Sequence, residues 1–573
     1  MRNNFFLDKS IYVMIAFVGL LGIIFILIRS DYLLDYRHFN ETTTSAVEEA
    51  DREELAEAYS KPSILVLTSE DQSSISNSIV QTMKEIGQIP VSVPITNPLD
   101  LASNEYEGII IATETIDKLN NLEKLISYVE DGGSVFFAVR PSPGAALSTL
   151  YQRLGMIEVG SFIETKGIEL SDPIFKETFS QRFQSDKIIN SSLAVRLSNT
   201  AKIYATSSDG LPLFWSSAHG EGQFIMFNGT ILSDPTQQAL LIQGIQRMKT
   251  HMIYPVINAR VTALKGFPFP ISGGKHMSGG MTNEEYFQQV IWADMQRLEA
   301  KYDLNYTASF VASYEDNPDT ATSGGHTQAD KGLLTLSHEL LRMGGEIGVQ
   351  GFNQQSLSQK SSKDVGSSMK EVAAQLEEAI SNYPITSFIP VDEVQFLEHM
   401  DEVQEAFPHL RTVLANVSTP TVEGELATLP TTINHFETDD YSNWLIVNEM
   451  TKRGYFSHSL SLDRFVYTTD FEQVNKQFSL FQDKVQTDVP WLRSLPLSKA
   501  AEALPNYMQT EVFEEINKNE ITFHLSRFSS PSYFYFYTEE GIVDTDNCQL
   551  TKIGPNLYLI EAEQLSFTIR LDG

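Results

Sequence analysis

From Ile11 to Ile28 every residue is apolar or glycine, an uninterrupted run of 18 residues. A helix of about that length can cross the hydrocarbon core of a bilayer. The run ends in Ile28-Arg29-Ser30-Asp31 without a small-residue cleavage pattern, so it is expected to persist as an anchor and not to be removed as a signal peptide. Arg2 and Lys9 precede it and Arg29 and Arg37 follow it, so the positive-inside rule sets no orientation. Everything with folding capacity follows the run. Residues 1–37 are therefore expected to form a cytoplasmic tip and a single-pass transmembrane anchor, with the bilayer as partner and the bulk of the chain extracytoplasmic at the cell membrane.

At 573 residues and 42% hydrophobic content, the remainder can bury more than one core. Lys and Arg number 41 against 74 Asp and Glu, a net charge of −33, which repels the phosphate backbone and argues against nucleic acid as a partner. The same field would attract a cationic polymer such as an amino sugar chain, although acidity also serves solubility. Cys548 is the one cysteine. There is no intramolecular disulfide and no thiolate cluster for zinc, and Cys548 reads as a small buried hydrophobe.

Residues 38–60 carry Glu48, Glu49, Asp51, Glu53, Glu54 and Glu57 and read as an acidic stalk or short exposed helix. In 61–252, strand-length apolar runs (Ile64–Leu67, Gly108–Ala112, Ser134–Ala138) alternate with helical patterns, and a strand over Gln223–Asn228 and a helix over Pro235–Thr250 follow. Continuous apolar strands separated by helices predict a parallel sheet buried on both faces, an α/β fold. The segment resembles flavodoxin-like or glutamine-amidotransferase-like modules. An amidotransferase needs a nucleophilic cysteine, and residues 60–250 have none. A dinucleotide fingerprint is also missing after the first strand, where Thr68-Ser69-Glu70-Asp71-Gln72 stands and could at most offer hydroxyls and amides to an anion. Ser356–Ser368 reads as a polar loop, and 511–573, with short aromatic and branched runs, as a small C-terminal β module.

Residues 253–510 contain Tyr254-Pro255-Val256-Ile257-Asn258-Ala259, Gly266-Phe267-Pro268-Phe269-Pro270, Trp292-Ala293-Asp294-Met295, Gly345-Glu346-Ile347-Gly348-Val349-Gln350-Gly351-Phe352-Asn353-Gln354 and Gly454-Tyr455-Phe456-Ser457-His458. In order and spacing this region resembles an uncharacterised bacterial polysaccharide-deacetylase-like family, related to NodB-homology deacetylases and to the deacetylase domain of Pel exopolysaccharide systems. The resemblance implies a deformed (β/α) barrel with its site at the C-terminal ends of the strands, where an Asp base and an Asp-His-His triad hold a divalent metal such as zinc and activate water. It also implies a place in exopolysaccharide biosynthesis or export, with polysaccharide and membrane synthase or export proteins as partners.

The catalytic positions implied by that resemblance are degenerate. Lys265-Gly266 stands where an Asp pair is expected, Gln350 and Gln354 stand where two histidines are expected, and Ser461 replaces a further histidine. A glutamine offers only a neutral carbonyl oxygen, a poor ligand for zinc. No catalytic residue and no cofactor are therefore expected, and the domain reads as a pseudoenzyme. Phe267, Asn353, Trp444 and His458 are the candidate carbohydrate contacts, with core packing or internal hydrogen bonding the commoner reading of Trp444 and His458. Asp316, Asp319, His326 and Asp330 form a polar cluster that reads as solvated loop; His338-Glu339-Leu340-Leu341-Arg342 lacks the second histidine of a zincin helix. Asp439-Asp440 is no glycosidase pair, since adjacent carboxylates do not face one bond. Two other readings stay open: an active deacetylase or hydrolase with non-standard ligands, and a structural subunit of a membrane synthase complex.

Overall fold

The structure is a computed structural model that describes residues 47–572 except 60–62, 100, 102–105, 177–180, 269–274, 278, 313–325, 354, 393, 395, 436–438 and 467–469, and also residues 17, 19 and 20. For 326–332 and 396 it describes the backbone alone. The run Ile11–Ile28 lies almost wholly outside the described residues, and among these no helix is long and apolar enough to cross a membrane.

The strand Ser63–Thr68 alternates its apolar side chains between two covering layers. Ile64 and Val66 pack with Ile75, Ile79 and Met83 of the helix Ser73–Glu85. Leu65 and Leu67 pack with Leu125, Ile126 and Val129 of the helix Leu122–Glu130 on the opposite face. Burial on both faces is why the run is continuously apolar. The parallel strands lie in the order Ile89–Pro94, Ser63–Thr68, Tyr106–Ile111, Ser134–Phe137, Gly222–Phe227, the 2-1-3-4-5 order of flavodoxin-like sheets. Four strands continue the sheet beyond Gly222–Phe227: Pro212–His219, Lys202–Thr206, Ile168–Leu170 and Arg182–Phe183, each antiparallel to its neighbour. The closing helix is shorter than expected, Ala239–Arg247.

The second unit is a barrel-like parallel sheet. Its strands are Ala259–Phe267, Tyr306–Val311, Glu346–Gly351, Ser387–Phe388, Thr412–Ala415, Leu426–Pro430 and Tyr455–Ser461, and the first pairs with both the second and the last. The two free ends of the curl meet at a single parallel bridge, Ile433 to His458. Ile433 N donates to the Ser457 carbonyl at 3.1 Å and Ser459 N to the Ile433 carbonyl at 2.8 Å, and hydroxyls extend that seam. Ser457 Oγ donates to the Pro430 carbonyl at 2.9 Å, and Ser457 N donates to Thr432 Oγ1 at 3.0 Å. Val261, Ala263, Leu414 and Leu429 share one inner cluster with Leu497 and Leu504, while Leu264, Ala308 and Leu460 pack outward against Met295, Leu340 and Phe478.

Two boundaries differ from the sequence reading. The boundary expected between residues 252 and 253 falls inside the strand His251–Val256, which pairs with Ser532–Thr538 and belongs to the C-terminal sheets. Residues 511–573 do form β structure, two four-stranded sheets, but one of them is completed by that earlier strand, and Ile253 shares the sandwich core with Phe523, Phe536 and Phe567. Of the two readings of the acidic segment, the short exposed helix is present, and it is tied to the C-terminal module. Glu48–Glu49 pairs with Arg527–Phe528, the helix Arg52–Ala58 places Arg52 on Glu511 at 2.6 Å, and Tyr59 stacks on His524 with ring centroids 4.6 Å apart. The polar stretch Ser356–Ser368 enters the helix Ser362–Ala379, capped by Ser361, because serines that favour turns also satisfy a helix N-terminus.

Candidate functional site at the barrel mouth

The C-terminal ends of the barrel strands bring four sequence-predicted positions onto neighbouring strands. Lys265 lies in register with Ser461 on one side and Ser309 on the other, and Gln350 follows one strand further. The Gln350 carboxamide is fixed from two sides: its Oε1 accepts from the Gly266 amide and from Ser309 Oγ, each at 2.9 Å and buried. Gly266 has φ +81°, a conformation that glycine adopts without strain, and this aims its N–H at the carboxamide. Ser461 Oγ donates to Asp463 Oδ1 at 2.5 Å, which also accepts from Arg464 N at 2.8 Å. Ser459, two residues earlier on the same face, is buried, and its Oγ has no hydrogen-bond partner among the described residues.

This donor set does not fit zinc. A metal ligand must present a lone pair to the ion, and the Gln350 oxygen already accepts two hydrogen bonds inside the wall. Among the described residues no group of three His, Cys, Asp or Glu could hold a metal ion. Gln354, Asp316 and Asp319 lie outside the described residues, as do the side chains of His326 and Asp330 in the helix His326–Arg342. Glu339 accepts from Trp292 Nε1 at 2.8 Å, which commits it to a contact between two outer helices.

Three of the four candidate carbohydrate contacts are core residues. Phe267 is fully buried against Trp292, with centroids 5.5 Å apart. Trp444 is fully buried where the barrel helix Asp440–Arg453 meets the N-terminal domain; its Nε1 donates to Gln237 Oε1 at 2.7 Å and its ring packs on Phe183. His458 points out of the barrel, edge-on to Phe478 and Phe481, and its Nε2–H donates to the His435 carbonyl at 2.7 Å. Burial pushes its imidazole down to about 4. In each case aromatic character reflects core packing. Asn353 stays at the mouth but is buried, its Oδ1 accepting from Gln355 N at 3.2 Å and Lys360 Nζ at 3.3 Å. Ser309 and Ser459 were missed; their signal is a small hydroxyl at the lumen-facing parity of each strand, close to its C-terminal end.

The flavodoxin-like switch point is filled from within. Gln72 Oε1 accepts from Thr113 Oγ1 and from the Glu114 amide, both at 2.7 Å, so the crevice where such sheets take ligands holds the protein's own side chain. Asp439 and Asp440 are likewise structural: Asp439 caps the helix Asp440–Arg453 through Ser442 N at 2.8 Å, and Asp440 accepts from Gln184 N at 2.9 Å.

The fold is mixed α/β with a barrel-like sheet, and Gly266, Ser309, Gln350 and Ser461 at its mouth carry structural hydrogen bonds. Residues 33–189 and 176–559 match a family described as an uncharacterised protein conserved in bacteria (DUF2194), and the chain belongs to it. No curated protein matches the chain. Among solved structures it is similar to the exo-beta-1,4-mannosidase Op5Man5 from Opitutaceae bacterium strain TAV5, with 17% identity and TM-score 0.23 over 33% of this chain and 34% of that one. It is also similar to the Xyl-CE4 domain of a multidomain xylanase from the hindgut metagenome of Trinervitermes trinervoides, with 8% identity and TM-score 0.25 over 42% of this chain and 88% of that domain. A third likeness is to 4-alpha-glucanotransferase from Thermococcus litoralis, with 15% identity and TM-score 0.30 over 42% of this chain and 40% of that one. The chain thus spans about a third of the length of the mannosidase.

Proposed function

We propose that this chain is a membrane-anchored extracytoplasmic protein whose barrel mouth binds polysaccharide without cleaving it, as a pseudo-deacetylase in exopolysaccharide biosynthesis or export. The observation that carries this reading is the doubly hydrogen-bonded Gln350 oxygen. A hydrolytic deacetylase needs a metal or a base to activate water, and the position that would supply a ligand holds the wall together instead. Lys265, Ser461 and Asp463, all partly exposed, leave a polar rim suited to hydroxyl and amide groups of a sugar chain. A net charge of −33 favours a cationic amino sugar polymer and membrane synthase or export proteins over nucleic acid as partners.

The test is metal content and acetate release by the purified full chain in detergent, after incubation with zinc, cobalt or nickel and with N-acetylated hexosamine oligomers. The expected result is sub-stoichiometric metal and no acetate above a buffer control, together with binding of partly de-N-acetylated oligomers that tightens in Lys265→Glu, where a carboxylate replaces an ammonium that repels the sugar amines. Near-stoichiometric metal with acetate release would overturn the non-catalytic reading. Absence of any oligomer binding would replace it with a purely structural role.

A further inference from the structure

The end of the barrel opposite the mouth holds a second concavity. A cavity of about 450 Å³ opens between the hairpin Thr421–Glu423/Leu426–Pro430, the start of the strand Glu346–Gly351 and the short helix Leu497–Ala501. That volume is in the range of small-molecule sites. The N-terminal end of a barrel ordinarily serves stability alone, and the helix Leu497–Ala501 does plug the lumen there. Ser498 N donates to Glu346 Oε2 at 3.0 Å and Leu497 N to Thr307 Oγ1 at 2.7 Å. The cavity lies beside that plug.

Two features of its wall suit a ligand. Pro384, Pro496 and Pro505 line it, and with φ fixed by the ring they have little backbone entropy to lose when covered. Gly344 and Gly424, at φ +80° and +61°, carry no side chain into the opening, and a Cβ at Gly424 would meet nothing within 4 Å. The second feature is charge balance. Arg411 pairs with Glu425, and Lys499 pairs with Glu502 at 3.1 Å. The remaining carboxylate, Glu346, is buried and accepts from Thr307, Thr386 and Ser387 hydroxyls as well as from Ser498 N. An incoming anion would meet two glutamates on the rim, and an incoming cation would meet an arginine and a lysine.

We infer that this cavity is a second saccharide site, selective for a neutral pyranose unit, whose apolar ring face rests on Pro384, Val422 and Tyr383 while the Arg411–Glu425 and Lys499–Glu502 pairs each offer a donor beside an acceptor to vicinal hydroxyls. The choice of a sugar rests on the carbohydrate function proposed above; the preference for a neutral one rests on the paired charges.

The experiment is saturation-transfer NMR on the full chain in detergent with neutral glucose and N-acetylglucosamine trimers, and separately with fully de-N-acetylated glucosamine trimer. Val422→Trp fills the cavity from an edge strand, Arg411→Ala removes one donor, and Lys265→Glu alters the mouth alone. The expected result is a neutral-trimer signal reduced at least fivefold in Val422→Trp and in Arg411→Ala but retained in Lys265→Glu. Thermal melting of both cavity variants checks that they fold, and Arg411→Ala at an exposed position decides if Val422→Trp does not. A neutral-trimer signal indifferent to both cavity variants, or no such signal at all, overturns the second site. The cationic trimer reports on the mouth independently, so loss of its signal alone removes the mouth and leaves the cavity.

Discussion

Arg453 Nη2 lies 2.7 Å from Glu85 Oε2, joining the end of a barrel helix to the end of an N-terminal-domain helix across a buried interface. The Arg453 side chain is 0% exposed and that of Glu85 7%. Arg453 also donates to both oxygens of Glu449 and to the Ser418 carbonyl, and Lys452 Nζ approaches Glu85 at 3.1 Å. Two cations and two anions, all withdrawn from water, fix the two units to one another.

Arg453→Met would leave Glu449 without its cation and Glu85 with Lys452 alone. Removing one partner of a buried pair costs about 3–5 kcal/mol. Urea unfolding followed by far-UV circular dichroism should show that loss, with the transition splitting as the N-terminal domain uncouples from the barrel. A change below about 1 kcal/mol, within the range of exposed pairs, would mean that water reaches the cluster.

Lys452 carries the cost of that burial. Its ammonium is held down to about 8, burial and the neighbouring Arg453 outweighing the two glutamates. The unfolded amine keeps its proton to about 10.4, so between about 8 and 10 the unfolded chain binds more protons and stability rises with pH. Lys452→Met should match or exceed wild-type stability at pH 7, and the rise above pH 8 should vanish from its urea midpoints. An unchanged rise would assign it to another group.

His458 predicts the acid limb. The unfolded imidazole takes a proton near 6.5, but the buried one resists until about 4. Over that interval the unfolded chain holds the extra proton, so stability falls as pH drops, by roughly 3 kcal/mol in full. Denaturation of His458→Leu between pH 7 and 4 should show a lower stability throughout and a shallower slope, other carboxylates supplying what remains. Parallel slopes in the two proteins would sink the assignment.

Gln350→Ala would strand the Gly266 amide and leave Ser309 Oγ only its longer bond to the Leu264 carbonyl at 3.4 Å. A buried orphan costs about 1–3 kcal/mol, so a loss in that range is expected, with faster amide exchange at Gly266. Gln350→Glu should recover most of it, since a carboxylate can accept the same two bonds. If the alanine variant proves as stable as wild type, the glutamine is not what holds the wall.

The parallel strands of the first domain were legible because burial on both faces writes itself as an unbroken run, as in Ile64–Leu67. Ile89–Pro94 was missed because Pro90 and Pro94 argue against a strand, yet an edge strand tolerates both. Tyr254–Val256 is expected in the barrel because it opens a stretch that carries the family resemblance, and nothing local encodes the pairing of His251–Val256 with Ser532–Thr538. At the mouth, the resemblance located Lys265, Gly266, Gln350 and Ser461, but it could not say where the side chains point. Trp444 and His458 illustrate this: an aromatic on a barrel element is a sugar platform or a core residue according to which face of the element it occupies.

The pairing of His251–Val256 with Ser532–Thr538 also imposes an order on synthesis. As the ribosome delivers the chain, this strand emerges before the barrel and its partner only after it, so Ile253 and Tyr254 await cover while the entire barrel is made. Glu48–Glu49, earlier still, waits for Arg527–Phe528. A chain halted before residue 532 therefore leaves an apolar strand with an open edge, the kind that seeds aggregation, and native structure is completed only once translation has passed that point.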